Sequence, residues 1–375
     1  MREYASGIRA RKTRLRACAA APALVLCVLL SLLSSVRAAA RTCTEPRRRS
    51  APRAEECQVR TWDGTLPRKL CWAPDAVTTW DCEPRDAVDL APGVAYRSET
   101  CALVVGTKLP WAGDGARGWA RGVGPLAFHV VTVDLEKADL LPQVAHPLRT
   151  VSEFADNRTL AAINGGYFWE LNKAIWADNV CWSKTRAMAQ APASPSSPSH
   201  GASDSLVKSR GVWLGGPCDT AVNGIMMPAV LQLHGRNASI AVYDKGCDVE
   251  ADTAIGNAPN LVSTRGARTF VDIPHGDTNL NIVEKSAQSA VGVRPGGREV
   301  VMVSHDGIDG CAYANATCGM SSIQLAYYLK DRLSLAQAMQ LDGGGSTTLW
   351  VRGRGVVTSN GFARERLVAN ALMVS

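Results

Sequence analysis

The run Gln340-Leu341-Asp342-Gly343-Gly344-Gly345-Ser346-Thr347-Thr348-Leu349-Trp350 constrains this chain more than any other. An apolar segment, 338–341, halts at a carboxylate, crosses three consecutive glycines and resumes as a strand-like segment over 347–351. Residues without a Cβ let main-chain N–H groups converge and let a ligand approach the backbone, the geometry of an anion-binding nest. The pattern predicts strand, tight loop, strand, with Asp342 at the mouth of the loop. A plain β-turn opening on Asp accounts for the same letters, so the rest of the chain has to decide.

The beginning of the chain reads as a secretory leader. Arg9, Arg11, Lys12, Arg14 and Arg16 precede an apolar run over 17–33, and small residues follow at Val36, Ala38 and Ala40, the order of a cleavable signal. Cleavage after Ala38 or Ala40 makes 1–40 a signal peptide; left uncleaved, it is a membrane anchor. Its removal takes away seven basic residues and one acid, so the formal charge drops from +7 to +1. A nucleic-acid surface, which needs a localised basic patch, loses its support. Ten of twelve cysteines remain beyond the leader, at 43, 57, 71, 82, 101, 181, 218, 247, 311 and 318. An even number behind a leader predicts disulfides in an oxidising compartment, secreted or luminal. No spacing among them resembles a zinc site. Sequons begin at Asn157, Asn237 and Asn315, glycosylation acceptors in a eukaryotic secretory route.

Residues 41–125 are rich in Cys, Pro, Arg and Trp without sustained periodicity, and read as a cysteine-rich N-terminal extension. From 126 onward the pattern is that of a folded domain running to 375. A β-rich run spans 127–135, a short helix is expected over 150–156, and a second apolar strand over 160–163 ends at Asn164-Gly165-Gly166-Tyr167-Phe168. Asn-Gly most often marks a hairpin turn; with Gly and two aromatics after it, it also suits a sugar-binding edge. The low-complexity stretch 190–205 reads as a flexible surface insertion. His305-Asp306-Gly307 closes an apolar strand over 299–304 on a second carboxylate. Ser321 and Ser322 cap a helix in which Leu325, Ala326, Leu329 and Leu333 share a face, with Tyr327 and Tyr328 as packing residues. A final strand over 366–374 is led by Arg364 and Arg366. The expected fold is α+β, a mixed, mostly antiparallel sheet packed with helices.

Two Asp-Gly strand ends, an Asn-Gly-Gly turn and an arginine-led strand, brought together, form a site for a sugar joined to a phosphate. The motifs carrying this occur in order: Val151-Ser152-Glu153-Phe154, Ala162-Ile163-Asn164-Gly165-Gly166-Tyr167-Phe168, Asn257-Ala258-Pro259-Asn260-Leu261-Val262, Ala290-Val291-Gly292-Val293, Gly319-Met320-Ser321, Leu341-Asp342-Gly343-Gly344-Gly345-Ser346 and Arg366-Leu367-Val368-Ala369-Asn370-Ala371-Leu372. Over 126–375 the chain resembles the phosphodiester glycosidase family.

The resemblance implies an enzyme that hydrolyses a sugar-1-phosphodiester, releases a free sugar such as N-acetylglucosamine, and leaves a phosphomonoester on the acceptor. It makes Asp342 the base or nucleophile and Asp306 its partner carboxylate. Gly343, Gly344, Gly345, Ser346 and Arg366 are then the phosphate contacts, and Asn164, Gly165, Gly166 and Phe168 the sugar contacts. Relatives typically read Arg-Thr-Ala-Val/Ile-Gly where this chain reads Gln288-Ser289-Ala290-Val291-Gly292, and Lys285 is the nearby cation that can substitute. No cofactor is required by this chemistry; Asp306, Asp309 and Asp342 could hold a divalent cation through oxygen ligands, and their spacing is not that of an EF-hand loop, so metal dependence is left open. The expected partner is a phosphoglycan or sugar phosphate. Alternatives are a catalytically weakened relative that binds glycans or phosphoglycans, and a cell-surface structural module. Serine-hydrolase chemistry is excluded because Gly344-Gly345-Ser346-Thr347-Thr348 lacks the closing glycine of a nucleophile elbow.

Overall fold

The computed structural model describes residues 56–58, 70–104, 111–113, 123–170, 201–203, 205–215, 229–243, 249–273, 285–308 and 318–375. The chain divides into two compact units, 1–48 and 49–375, and every described residue belongs to the second. The leader, Asp309, the sequon at Asn315 and residues 190–200 lie outside the described residues.

Strands dominate, and every pairing among the described residues is antiparallel. An eight-stranded sheet runs in the spatial order Arg268–Val271, Asn260–Arg265, Gln337–Gln340, Gln288–Val293, Glu299–His305, Leu126–Asp134, Val94–Leu103, Trp80–Ala91. A five-stranded sheet follows the order Gly355–Val356, Leu349–Val351, Ala161–Asn164, Val368–Val374, Leu140–Arg149. A second five-stranded sheet is built from Val212–Gly215, Val207–Ser209, Thr253–Asn257, Ala229–His234 and Asn237–Val242.

The α+β expectation is therefore corrected to a mostly β architecture. Strands make up 53% and helices 9% of the structure, and among the described residues no parallel pairing makes the sheet mixed. The physical reason is visible in burial. Strands such as Gln288–Val293 and Val368–Val374 are buried at every position, which means both faces are covered, and here the cover on one face is another sheet. Along Leu126–Asp134, Phe128 and Val130 face one core while Val131 and Val133 face the other, the two-residue alternation of a strand. The second core joins side chains of these three larger sheets, among them Val131, Met302, Ile163, Leu372, Leu231 and Ile255. The first core holds the main helical element, whose expected single helix is two pieces. Ser322–Tyr327 is α-helical and Tyr328–Arg332 continues as a π-helical turn. Ser321 and Gln324 form a capping box at its start.

The cysteine-rich stretch joins the same body. Trp80–Ala91 and Val94–Leu103 are the last two strands of the large sheet, stapled by Cys82–Cys101, and Cys318 is also disulfide-bonded. Just before them, residues 73–78 clasp the helical element: Tyr327 Oη donates to Ala73 O at 2.5 Å, Lys330 Nζ to Ala76 O at 2.7 Å, and Thr78 N to Asp331 Oδ2 at 2.7 Å. Glu99 accepts from Tyr328 Oη at 2.7 Å and from Arg332 Nη2 at 2.5 Å. Tyr327 and Tyr328 are fully buried packing residues, as their sequence context predicts. Of the 190–205 stretch, Gly201–Ser203 forms a strand paired with Phe168–Glu170.

Candidate active site

Topology brings the two acids to one edge. Gln337–Gln340 and Glu299–His305 are each antiparallel to Gln288–Val293, so they run in the same direction and end on the same side of the sheet. Asp342 and Asp306 follow those two ends with one strand between them, which places their main chains roughly 10 Å apart, two strand spacings. The intervening strand begins beside both. Gly344 N donates to Ala287 O at 2.8 Å, and a Cβ on Gly307 would lie 2.4 Å from Ala287 N.

Asp342 is held on three sides. Its N–H donates to Gly165 O at 2.9 Å, its Oδ1 accepts from Gly343 N at 3.0 Å, and its carbonyl accepts from Asn164 Nδ2 at 2.8 Å. Asn164 is fully buried, and its Oδ1 accepts from Ser289 Oγ at 2.6 Å and Thr348 N at 3.0 Å. The amide expected to orient a sugar thus locks the Asp342 loop to two sheets. Gly165 N donates to Asn370 O at 2.9 Å and Gly166 N to Asn370 Oδ1 at 2.6 Å. Both glycines are close-approach points: a Cβ on Gly165 would sit 1.8 Å from Asn370 Oδ1, and one on Gly166 2.7 Å from Gly256 O.

The triglycine forms a 3-10 turn over Gly344–Ser346, with Gly344 at φ +59°, a conformation that favours glycine. Its amides are committed inward. Ser346 N donates to Gly343 O at 3.2 Å and Thr347 N to Gly344 O at 3.1 Å, so these donors do not converge outward as an open nest. Polar groups do gather beside the turn. Arg366 Nη1 donates to Ser346 Oγ at 3.3 Å, and its guanidinium lies 5.3 Å from the centre of the Phe168 ring, within cation–π range. The neighbouring Glu365 accepts from Ser152 N at 2.8 Å and Ser152 Oγ at 2.7 Å, anchoring the segment that presents Arg366. Asn360 Nδ2 donates to Gly345 O at 2.9 Å and Thr347 O at 3.0 Å. Phe362, 57% exposed, lays its ring over Gly345, where a Cβ would meet it at 2.8 Å.

Asp306 sits in a different surrounding. Its Oδ1 accepts from Ser359 N at 2.7 Å and lies 3.3 Å from His129 Nε2. His305 is fully buried, its Nδ1 lies 2.9 Å from Asp306 O, and burial pushes its pKa down to about 4. A carbonyl only accepts, so Nδ1 carries the proton and Nε2 a lone pair, which has no hydrogen-bond partner among the described residues. Across the strand pair, Gln288 donates from Nε2 to Met320 O at 2.7 Å, and its buried Oε1 likewise lacks a partner. Lys285 is buried near the start of that strand and carries contacts of its own. Among the described residues, the group of metal-capable side chains within mutual reach is Cys82, Glu99 and Cys101, and its two sulfurs form the disulfide.

The sequence reading names both acids, the two glycine turns and Arg366, all of which the structure places at strand ends or in the loops that follow them. Among site residues it does not name His129, His305, Asn360 or Phe362, which contact those elements. A usable signal existed for the last two, because Ser359-Asn360-Gly361-Phe362 repeats the Asn-Gly-aromatic order of Asn164 to Phe168. The histidines carry no such signal.

These features define a β-rich protein whose strand ends present two carboxylates, an arginine and two phenyl rings. The family model described as phosphodiester glycosidase matches residues 157–375. The chain belongs to the phosphodiester glycosidase family. Among solved structures it is similar to the catalytic domain of zebrafish N-acetylglucosamine-1-phosphodiester alpha-N-acetylglucosaminidase, auto-inhibited by pro-peptide. That likeness has 16% identity and a TM-score of 0.47, covering 79% of this chain and 88% of that one. It is also similar to a hypothetical protein from Synechocystis at 14% identity and a TM-score of 0.47, covering 87% of this chain and 69% of that one. Superpositions at that level carry none of the functional argument. No curated protein matches the sequence.

Proposed function

We propose that the chain hydrolyses a sugar-1-phosphodiester at this strand-end site, releasing the free sugar and leaving a phosphomonoester on the acceptor. The C1–O bond to phosphate breaks, water supplies the new C1 oxygen, and the phosphate departs with the bonding electrons. An ordinary glycosidase must protonate a poor alkoxide leaving group. A phosphate monoester, with a second pKa of ~6, leaves without that help.

The protein's tasks are then to activate water or attack C1, and to hold the phosphate. The observation that supports this most is the fixation of Asp342. Its main chain is tied through Gly165 and Asn164 to the neighbouring sheet, four residues before Ser346, whose hydroxyl accepts from Arg366. Asp342 is the base or nucleophile and Asp306 the partner carboxylate. Arg366 and Ser346 meet the phosphate, with Lys285 adding positive charge near the edge. Phe168 offers the sugar an apolar face. Asn164, Gly165 and Gly166, with Gly343, Gly344 and Gly345, act by shaping the main chain around Asp342. N-acetylglucosamine is the proposed sugar, and the leader-like sequence with the Cys82–Cys101 disulfide supports a secreted or luminal location. Among the described residues no helix is long and apolar enough to cross a membrane.

The test is release of free sugar from an N-acetylglucosamine-1-phosphodiester by the purified protein, set against the matching phosphomonoester as a negative control. A protein that bound the diester without cleaving it sinks the proposal. It would favour the second reading, a weakened phosphoglycan-binding relative, which draws support from the inward-turned amides of the triglycine and the uncharged Gln288.

A further inference from the structure

The segment Ser359-Asn360-Gly361-Phe362 bridges the loops that carry the two acids. On one side Ser359 N donates to Asp306 Oδ1 at 2.7 Å, and Gly307 N donates to Ser359 O at 3.0 Å. On the other, Asn360 is buried and its Nδ2 donates to Gly345 O and Thr347 O. Asn360 Oδ1 accepts from Phe362 N at 3.1 Å, the local side-chain bond that fixes an Asx-type turn. Gly361 between them takes φ +83°, a conformation that favours glycine.

Polar contacts hold this segment, and what it presents outward is apolar. Phe362 is 57% exposed, and it is the one aromatic ring among the large exposed hydrophobic side chains of the described residues. Ile308, 47% exposed, lies against the same turn: a Cβ on Gly361 would meet its Cγ2 at 3.2 Å. Scattered exposed valines need no explanation. A ring and a branched chain on one pinned turn, beside a polar site, form a ledge of the kind that receives a ligand.

A second ring stands at the other end of the polar contact. Arg366 Nη1 donates to Ser346 Oγ, and the Phe168 ring lies 5.3 Å from the Arg366 guanidinium, while Phe362 covers Gly345, the residue before Ser346. The pair read above as the phosphate contact thus has one ring at its arginine end and one at its serine end. A phosphodiester has the same layout, an anion with an organic group on each of two oxygens.

We propose that Phe362, with Ile308, is the subsite for the acceptor, the group that keeps the phosphate after cleavage, and that the acceptor it takes is a second sugar ring. A pyranose lays its apolar C–H face on an aromatic ring while its hydroxyls stay in water. Phe168 serves the sugar that is released. The ledge is already fixed by hydrogen bonds in the free protein, so little ordering is lost when an acceptor settles on it. The inference rests on the reading of the site as one for a sugar-1-phosphodiester, and the experiment separates the two.

Two diesters of N-acetylglucosamine 1-phosphate, one esterified to methanol and one to a hexose, differ only in the acceptor. The ratio of their kcat/KM values reads the subsite. The unsubstituted protein is expected to favour the hexose diester by about tenfold, and Phe362→Ala to bring the ratio within about twofold of one. Phe362→Trp, which keeps a ring, should hold the preference. Ile308→Ser should lower it by about threefold, and it carries the comparison should Phe362→Ala unfold. No preference in the unsubstituted protein, or equal losses on both diesters from these truncations, makes the ring a cover for Gly345 and overturns the proposal. If neither diester is cleaved, the functional reading falls, and saturation-transfer NMR with a hexose phosphate decides the subsite. Transfer to the hexose ring protons that Phe362→Ala abolishes upholds it; transfer that is absent, or that survives Phe362→Ala, overturns it.

Discussion

Asn164→Ala probes the joint on which the site depends. The side chain is fully buried and makes four hydrogen bonds, accepting from Ser289 Oγ at 2.6 Å and Thr348 N at 3.0 Å and donating to Asp342 O at 2.8 Å and Gly165 O at 3.3 Å. Truncation removes both acceptor contacts and strands the Thr348 N–H and the Ser289 hydroxyl in the interior. A net bond is worth about 1 kcal/mol and a stranded buried polar group about 1–3 kcal/mol. Allowing for non-additivity, the loss is about 3–5 kcal/mol, a large part of the roughly 5–15 kcal/mol that holds a domain together. Denaturant unfolding measures it as a lowered midpoint with an unchanged slope. Because Asp342 O loses its tether, kcat on the diester should fall as well in whatever fraction stays folded. A variant destabilised by less than about 1 kcal/mol with normal turnover refutes the idea that this amide couples the loop to the sheets.

Three other outcomes follow from the same geometry. Gly166→Ala places a methyl group 2.7 Å from the Gly256 carbonyl and 2.0 Å from Ser205 Oγ; the backbone cannot yield cheaply, so a drop in melting temperature equivalent to about 2–3 kcal/mol is expected, and an unshifted melt contradicts it. Arg366→Ala touches an exposed side chain whose contacts include Ser346 and the Phe168 ring; stability should change by no more than about 1 kcal/mol while KM for the diester rises about tenfold, and equal KM values exclude a phosphate contact. His305 has a folded pKa depressed by burial to about 4 against an ordinary 6.5. The unfolded chain therefore takes up a proton first, and stability is whole above pH 6.5 and declines by about 3 kcal/mol as pH falls to 4. His305→Asn, which keeps a donor for Asp306 O, should flatten that decline in unfolding experiments across the window, and an unchanged slope assigns the acid sensitivity elsewhere.

The candidate site was more legible than the fold. Asp342 before three glycines, and Asn164 before two, are local signals, and each marks a strand end in the structure. What they mean is less local. The amides of Gly165, Gly166 and Gly344 are spent on Asn370 and Ala287, partners distant in sequence that no reading of the turn itself reveals. His129 was hidden for a similar reason: it is one residue of a continuous strand, and its relation to Asp306 exists only because Leu126–Asp134 pairs with Glu299–His305. The fold class misled because the amphipathic spacing after Ser321 is a strong helical signal. Buried strands such as Gln288–Val293, apolar on both sides, show no alternation to announce how many sheets cover them. Residues 80–103 were assigned to an extension for lack of periodicity, yet their long hairpin completes the large sheet.

The account stands or falls on the carboxylate of Asp342. Asp342→Asn preserves shape and the hydrogen bond that Oδ1 accepts from Gly343 N, and removes only the charge. Measured as free sugar released from a sugar-1-phosphodiester, the variant should lose turnover by at least about a thousandfold while its unfolding midpoint stays within about 0.5 kcal/mol of the parent. Turnover within tenfold of the parent would contradict the central claim, since no chemistry assigned to that carboxylate could survive its neutralisation.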